Sequence, residues 1–163
     1  MPERLLAINI SAHVRLRETF AKIREVLTRP VVAERVYLSR ARLPELRQRI
    51  ANEAAVEAAF EQHGFTIVHP QEVSIADQIS MYANCRVLAG LSGSALHNVV
   101  FCRPKTLLID IHDTRKPTGA LKSQVLCNEL AEVDYRPVSF VSSGGEDTIS
   151  VDAIKGVLRD LAA

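Results

Sequence analysis

Residues 87–98 read V-L-A-G-L-S-G-S-A-L-H-N. A short apolar run meets a cluster of small residues, and the chain then turns amphipathic. That succession predicts a strand over 86–90, a tight turn from Gly90, and a helix ending near Phe101. Pro104 follows, and T-L-L-I-D-I (106–111) reads as the next strand. Strand, turn, helix and strand in this order form the unit of a parallel sheet.

The same alternation runs both ways from this point. V-Y-L-S-R (36–40) and F-T-I-V (65–68) read as strands. Between them Asn52 is placed to cap a helix with Val56, Ala59 and Phe60 on its inner face, and Gly64 suits its C-terminal end. Ser74 and Asp77 have capping-box spacing ahead of a helix with Ile75, Ile79 and Tyr82 on its buried side. A helix near 119–131, a strand over 135–141 and a helix capped by Ser150 complete the pattern. Pro137 suits an edge strand. Residues 1–34 are expected to form a helical segment, with Leu16, Phe20, Ile23 and Leu27 on one stripe and Pro30 as its stop. It would pack on a Rossmann-like domain of residues 35–163. The 163 residues make one domain, and the expected fold is a three-layer α/β domain with about five parallel strands.

In such sheets ligands sit beyond the carboxyl ends of the strands, where the strand order reverses. The order 2-1-3-4-5 brings the loop at Ser39 beside the turn at Gly90. The alternative, 3-2-1-4-5, pairs the loop at Ser39 with the one at Asp110. In the first arrangement Arg40 and Arg42 lie at the carboxyl edge beside G-L-S-G-S-A (90–95). Small residues there let backbone N–H groups approach an anion, and the helix N-terminus adds its dipole. Ser92 and Ser94 add hydroxyls, and guanidinium groups suit bidentate phosphate contact. A turn with no ligand explains the same glycines.

Ser92 also sits in Gly-x-Ser-x-Ser, one residue from the nucleophile elbow of a serine hydrolase. Position 94 is Ser where the elbow has Gly, and the only histidine that follows a downstream acid is His112, two residues after Asp110. Asp110, His112 and Asp113 form D-I-H-D at the end of a strand, where two such side chains on alternating positions lack a clear third metal ligand, so no metal is expected; a ribose or sugar hydroxyl contact suits Asp110 or His112 better. His97 lies on the helix after the turn. His13, His63 and His69 carry no site argument.

The net charge of +1 excludes a bulk field for nucleic acid. Residues 1–50 hold eleven Arg and Lys against five Glu, a balance of +6 that leaves −5 for the rest. Most of those cations read as a solvated helix face. Cys85, Cys102 and Cys127 form no Cys-x-x-Cys and read as reduced thiols of a cytosolic protein. No stretch approaches the ~20 apolar residues of a membrane span.

At these residues the sequence resembles the family 61 glycosyltransferases, which include capsular-polysaccharide-type bacterial enzymes. The matching run is R-V-Y-L-S-R, then Arg47, Asn52 and Glu53 in R-Q-R-I-A-N-E. G-F-T-I-V-H-P-Q-E, S-I-A-D-Q-I-S-M-Y, G-L-S-G-S-A-L-H-N-V-V-F and L-L-I-D-I follow, covering about residues 35–112. The resemblance implies a GT-B enzyme with two Rossmann-like halves, of which this would be the C-terminal, donor-binding half. By matching positions Arg40 would contact a diphosphate, Ser92 to Asn98 would cradle it, and Asp110 would lie near the ribose. Gln78 matches a family glutamine with no assigned role. The family often has His-Gly-Ala where this chain has Ser92-Gly93-Ser94, and Glu where it has Asp110.

The expected function is therefore inverting glycosyl transfer in polysaccharide biosynthesis, without a cofactor or bound metal. The expected substrates are a UDP- or GDP-linked sugar and an unidentified glycan acceptor. Ser39, Arg40, Arg42, Ser92, Gly93, Ser94, Ala95, Asn98, Asp110 and His112 would hold the donor, and His97 is a local candidate for catalysis. A missing acceptor-binding domain or a homodimer would complete the site. The expected location is the cytoplasm or the inner face of the membrane. Two other readings stand: a non-catalytic domain that binds an anion or a partner chain, and a serine hydrolase using Ser92.

Overall fold

The structure is a computed structural model that describes residues 2–31, 33–44, 50–113, 122–140 and 147–161. Arg47, Val141 and residues 119–121, named above, lie outside the described residues. Helix α1 spans Pro2–Leu27, strand β1 Arg35–Leu38, α2 Glu53–Gln62, β2 Thr66–Val68, α3 Ile75–Asn84 and β3 Val87–Leu91. A 3₁₀ helix (Ser94–Phe101) leads to β4 (Leu107–Asp113), α4 (Lys122–Ala131), β5 (Asp134–Phe140) and α5 (Val151–Arg159). The five strands are all parallel and run β2-β1-β3-β4-β5. Of the two orders open to the sequence, this is the one that places β1 beside β3. Pro137 lies on the edge strand β5, where a missing N–H is tolerated.

The alternation of side chains along the strands divides the core in two. Tyr37, Ala89, Leu91, Ile109 and Ile111 face α2 and α5, against Val56, Phe60, Ile154 and Leu158. Val36, Leu38, Leu88 and Leu108 face the other layer, against Tyr82, Leu96, Val99 and Cys102. The result is a three-layer, Rossmann-like α/β fold.

Several local expectations change. The helix after β3 is 3₁₀, and Leu96, Val99 and Cys102 are all fully buried. Their spacing of three is the stripe that a 3₁₀ helix, with i and i+3 eclipsed, presents to a core. Asn52 occupies the N-cap of α2 but makes no capping bond. Its amide instead brackets Ile149, donating to the carbonyl (2.8 Å) and accepting from the N–H (3.0 Å). Ile75 is 68% exposed because it is the first residue of α3, and Gln78 turns inward from that helix. Gln78 donates to Pro70 O (2.7 Å) and Val73 O (2.8 Å) and accepts from the Tyr82 hydroxyl (3.0 Å). That clamp on the 70–73 loop supplies a structural role for this glutamine.

Gly64 has φ +77°, and Phe65 N–H donates to Phe60 O (3.1 Å), the closure of a Schellman motif. Ser74 and Ser150 cap α3 and α5 through Asp77 N–H (3.2 Å) and Ala153 N–H (3.3 Å). Helix α1 starts well before residue 14, and Leu16 is 42% exposed rather than part of a buried stripe. Phe20 meets Phe101 edge-on at 5.4 Å, and Arg24 donates to Cys102 O (2.6 Å). Arg17 pairs with Glu132. Both arginines bond across to the rest of the chain, Arg24 half-buried and Arg17 from an exposed position.

Candidate functional site

Strands β1 and β3 leave the sheet side by side, with Leu38 and Gly90 as Cα partners. Gly90 is fixed by that approach. A Cβ there would lie 3.2 Å from both Leu38 O and Leu96 Cδ2. Beyond β3, Ser92 N–H extends the ladder by donating to Ile111 O (2.8 Å). Gly93 then adopts φ +154°, ψ −177°, a region open essentially to glycine alone. This reversal starts the 3₁₀ helix, whose first bond runs from Leu96 N–H to Gly93 O (3.0 Å). The N–H groups of Gly93, Ser94 and Ala95 make no hydrogen bond with any described residue. They form a row of donors at a helix N-terminus, on the switch point between β1 and β3.

Asp110 fixes this turn from below. It is 1% exposed, and its two oxygens accept from the Ser92 hydroxyl and from the Tyr135 hydroxyl (3.0 Å). Burial pushes the Tyr135 phenol well above its ordinary range, and the nearby Asp110 charge adds to the effect. Tyr135 therefore stays a neutral donor. Each oxygen of Asp110 thus accepts a bond from the protein, one from the exit of β3 and one from β5.

At the tip of β1, Arg40 N–H donates to Glu53 Oε1 (2.6 Å). Glu53 is the first residue of α2 and 3% exposed; Tyr37 and Ser39 hydroxyls also reach it, each at 3.4 Å. Burial raises the Glu53 carboxyl above its ordinary range, and the Glu57 carboxylate adds to the rise. Ser39 is buried, donates to Glu57 and accepts from Ala41 N–H (2.9 Å). Glu57 in turn faces His69 Nε2 at 3.7 Å.

Arg42 pairs with Glu72 (2.6 Å) on the β2 side, an exposed ion pair of little energetic weight. His97 Nε2 meets the Ser123 hydroxyl at 3.2 Å, and Asn98 Nδ2 donates to Ala95 O (3.2 Å). Ala95 also packs on the core, and the Ser94 residue is exposed. His112 Nε2 meets Ser139 Oγ at 3.1 Å, while its buried Nδ1 has no partner among the described residues. Among the described residues no cluster of His, Cys, Asp and Glu could hold a metal, and no helix is long and apolar enough to cross a membrane.

The sequence pattern overlooked Tyr37, Glu53, Glu57, His69 and Tyr135 as members of this edge. One signal was present. Glu53 and Glu57 stand four apart on α2, beside the inward-facing Val56 and Phe60.

These features define a class: an α/β domain with a row of backbone N–H groups at the switch point of its parallel sheet. The chain belongs to the glycosyltransferase 61 family, whose sequence profile matches residues 4–109, about two thirds of its length. Comparison with curated proteins finds no match. Membership makes glycosyl transfer its class of reaction, with a sugar donor and an acceptor as substrates.

Proposed function

We propose that this chain binds the nucleotide-diphosphate sugar of an inverting, metal-independent transfer, as the donor half of a GT-B enzyme of polysaccharide biosynthesis. The observation that carries the reading is the row of N–H groups at Gly93, Ser94 and Ala95, next to the strand that delivers Arg40. In the transfer, a diphosphate departs from the anomeric carbon and gains negative charge. Donors held in place before the reaction stabilise that charge without reorganising. The N–H row, the Ser94 hydroxyl and the Arg40 guanidinium are suited to this task, and they require neither cofactor nor metal in this proposal. His112, at the end of β4, is suited to a sugar or ribose hydroxyl. UDP or GDP fits as the carrier. The acceptor and a second domain or second copy would face the same edge, in the cytoplasm or at the inner membrane surface.

Calorimetric titration with UDP, GDP and their sugars tests the reading. Loss of a bidentate, charge-assisted contact in Arg40→Ala raises Kd by ~10-fold or more. No binding by any of these ligands, or a Kd unchanged by Arg40→Ala, overturns it.

A further inference from the structure

A groove of about 530 Å³ runs along the outer edge of β2, between α2 and α3. Its lining includes Glu57, Glu61 and Glu72, His69, and the apolar Ile67 and Met81. His69 is 9% exposed, and its Nδ1 has no partner among the described residues. The carboxylates outnumber the one guanidinium on the lining, Arg42, which Glu72 already pairs. Such a surface repels phosphate and accepts hydrogen bonds, so it suits the hydroxyls of a saccharide over an apolar floor. Glu57 is the best-oriented group on it. One oxygen takes the Ser39 hydroxyl and faces His69, while Oε2 bonds to no described residue. A carboxylate fixed through one oxygen and open through the other is the arrangement of a general base. The Ser39 hydroxyl that Glu57 accepts lies between the end of β1 and Arg40, so Glu57 stands at the tip of the strand that delivers the proposed diphosphate contact.

We propose that the β2-edge groove receives the saccharide acceptor and that Glu57 is the base that takes its proton. This rests on the donor reading above. The acceptor hydroxyl gives its proton to Glu57 and its oxygen bonds to the anomeric carbon. The bond from that carbon to the diphosphate breaks, and the electron pair leaves with the nucleoside diphosphate. Glu57 then returns its proton to water. Ser39 and His69 act as positioning residues through Glu57.

The test uses the ¹⁵N-labelled full chain with UDP, GDP and p-nitrophenyl β-galactoside, β-glucoside and β-N-acetylglucosaminide as probes. Nucleotides are expected to shift the amides of Gly93 to Ala95, and at least one glycoside those of Glu57, His69 and Met81. Turnover of UDP- and GDP-sugars with these glycosides is followed as nucleotide release. Glu57→Gln is expected to lower kcat ~10²-fold, with the glycoside KM and the nucleotide Kd each within about 2-fold of wild type. Ser39→Ala, which only loosens the base, is expected to lower kcat ~10-fold with the glycoside KM unchanged. Glycosides that shift no groove amide overturn the proposal, as does turnover that survives Glu57→Gln within about 3-fold. Failure of the donor reading shows separately, as unshifted Gly93–Ala95 amides with both nucleotides, and takes this proposal with it.

Discussion

Asp110→Ala isolates the contribution of the buried carboxylate beneath the cradle. Asp110 is 1% exposed and receives the hydroxyls of Ser92 and Tyr135. Truncation leaves two donors without their acceptor, and each buried unsatisfied group costs ~1–3 kcal/mol. The expected loss is about 4 kcal/mol, or roughly 8–16 °C in Tm for a chain of this size. Asp110→Asn keeps the shape and one carbonyl acceptor, and only one hydroxyl must reverse, so it is expected to lose ~1–2 kcal/mol. Tyr135→Phe removes a donor to a charged group and should cost ~1.5 kcal/mol alone. In Asp110→Ala, however, the same change removes an orphaned hydroxyl and should cost far less, a coupling of ~1 kcal/mol or more in the double-mutant cycle. Urea unfolding followed by circular dichroism measures all four proteins. Asp110→Ala within ~0.5 kcal/mol of wild type, or strictly additive losses, would refute the account of this turn.

Burial raises the Glu53 carboxyl above its ordinary 4.5, so the folded chain holds that proton more tightly than the unfolded one. Its contribution to stability thus falls as pH rises through the window above 4.5; the stability of Glu53→Gln relative to wild type should rise with pH there, and a flat or falling difference in urea midpoints counts against it. Gly90→Ala drives a Cβ to 3.2 Å from the Leu38 carbonyl, which as backbone cannot yield, and should cost ~1–3 kcal/mol by thermal unfolding. Gly93→Ala forces a glycine-only conformation and should cost ~1–3 kcal/mol while weakening UDP or GDP binding; full binding affinity would show that the N–H row is not the ligand site. Ser92 donates to Asp110, so a fluorophosphonate probe should leave it unlabelled in intact-mass analysis; labelling lost in Ser92→Ala would restore the hydrolase reading.

The sheet was legible because each strand is a short apolar run and each crossover carries helix signals; β3 and β4 fall within two residues of the expected bounds. Strand order was harder, since the apolar pattern gives faces and not neighbours; only the pairing of β1 with β3 settles it. The 3₁₀ helix was readable from Leu96, Val99 and Cys102, but a period of three resembles one of 3.6 over so short a span. Arg42 stood two residues from Arg40 and looked equivalent; its pairing with Glu72, thirty residues away, depends on the loop after β2. Tyr135 and Glu57 join the site through tertiary contacts, which local periodicity does not carry.

Asp110 was open to a sharper reading. A carboxylate inside the apolar run L-L-I-D-I cannot be buried alone, because an unpaired buried charge costs far more than one hydrogen bond supplies. It therefore had to find donors on neighbouring strands, where its partners are Gly90 near the exit of β3 and Pro137 midway along β5, so that Ser92 lies two residues past the first and Tyr135 two residues before the second. Ser92 and Tyr135 are the donors found there. The same constraint separates Ser92 from its neighbours in the turn. Its hydroxyl holds Asp110 and its N–H holds Ile111, so Ser92 fixes the turn, while the N–H groups of Gly93, Ser94 and Ala95 bond to no described residue.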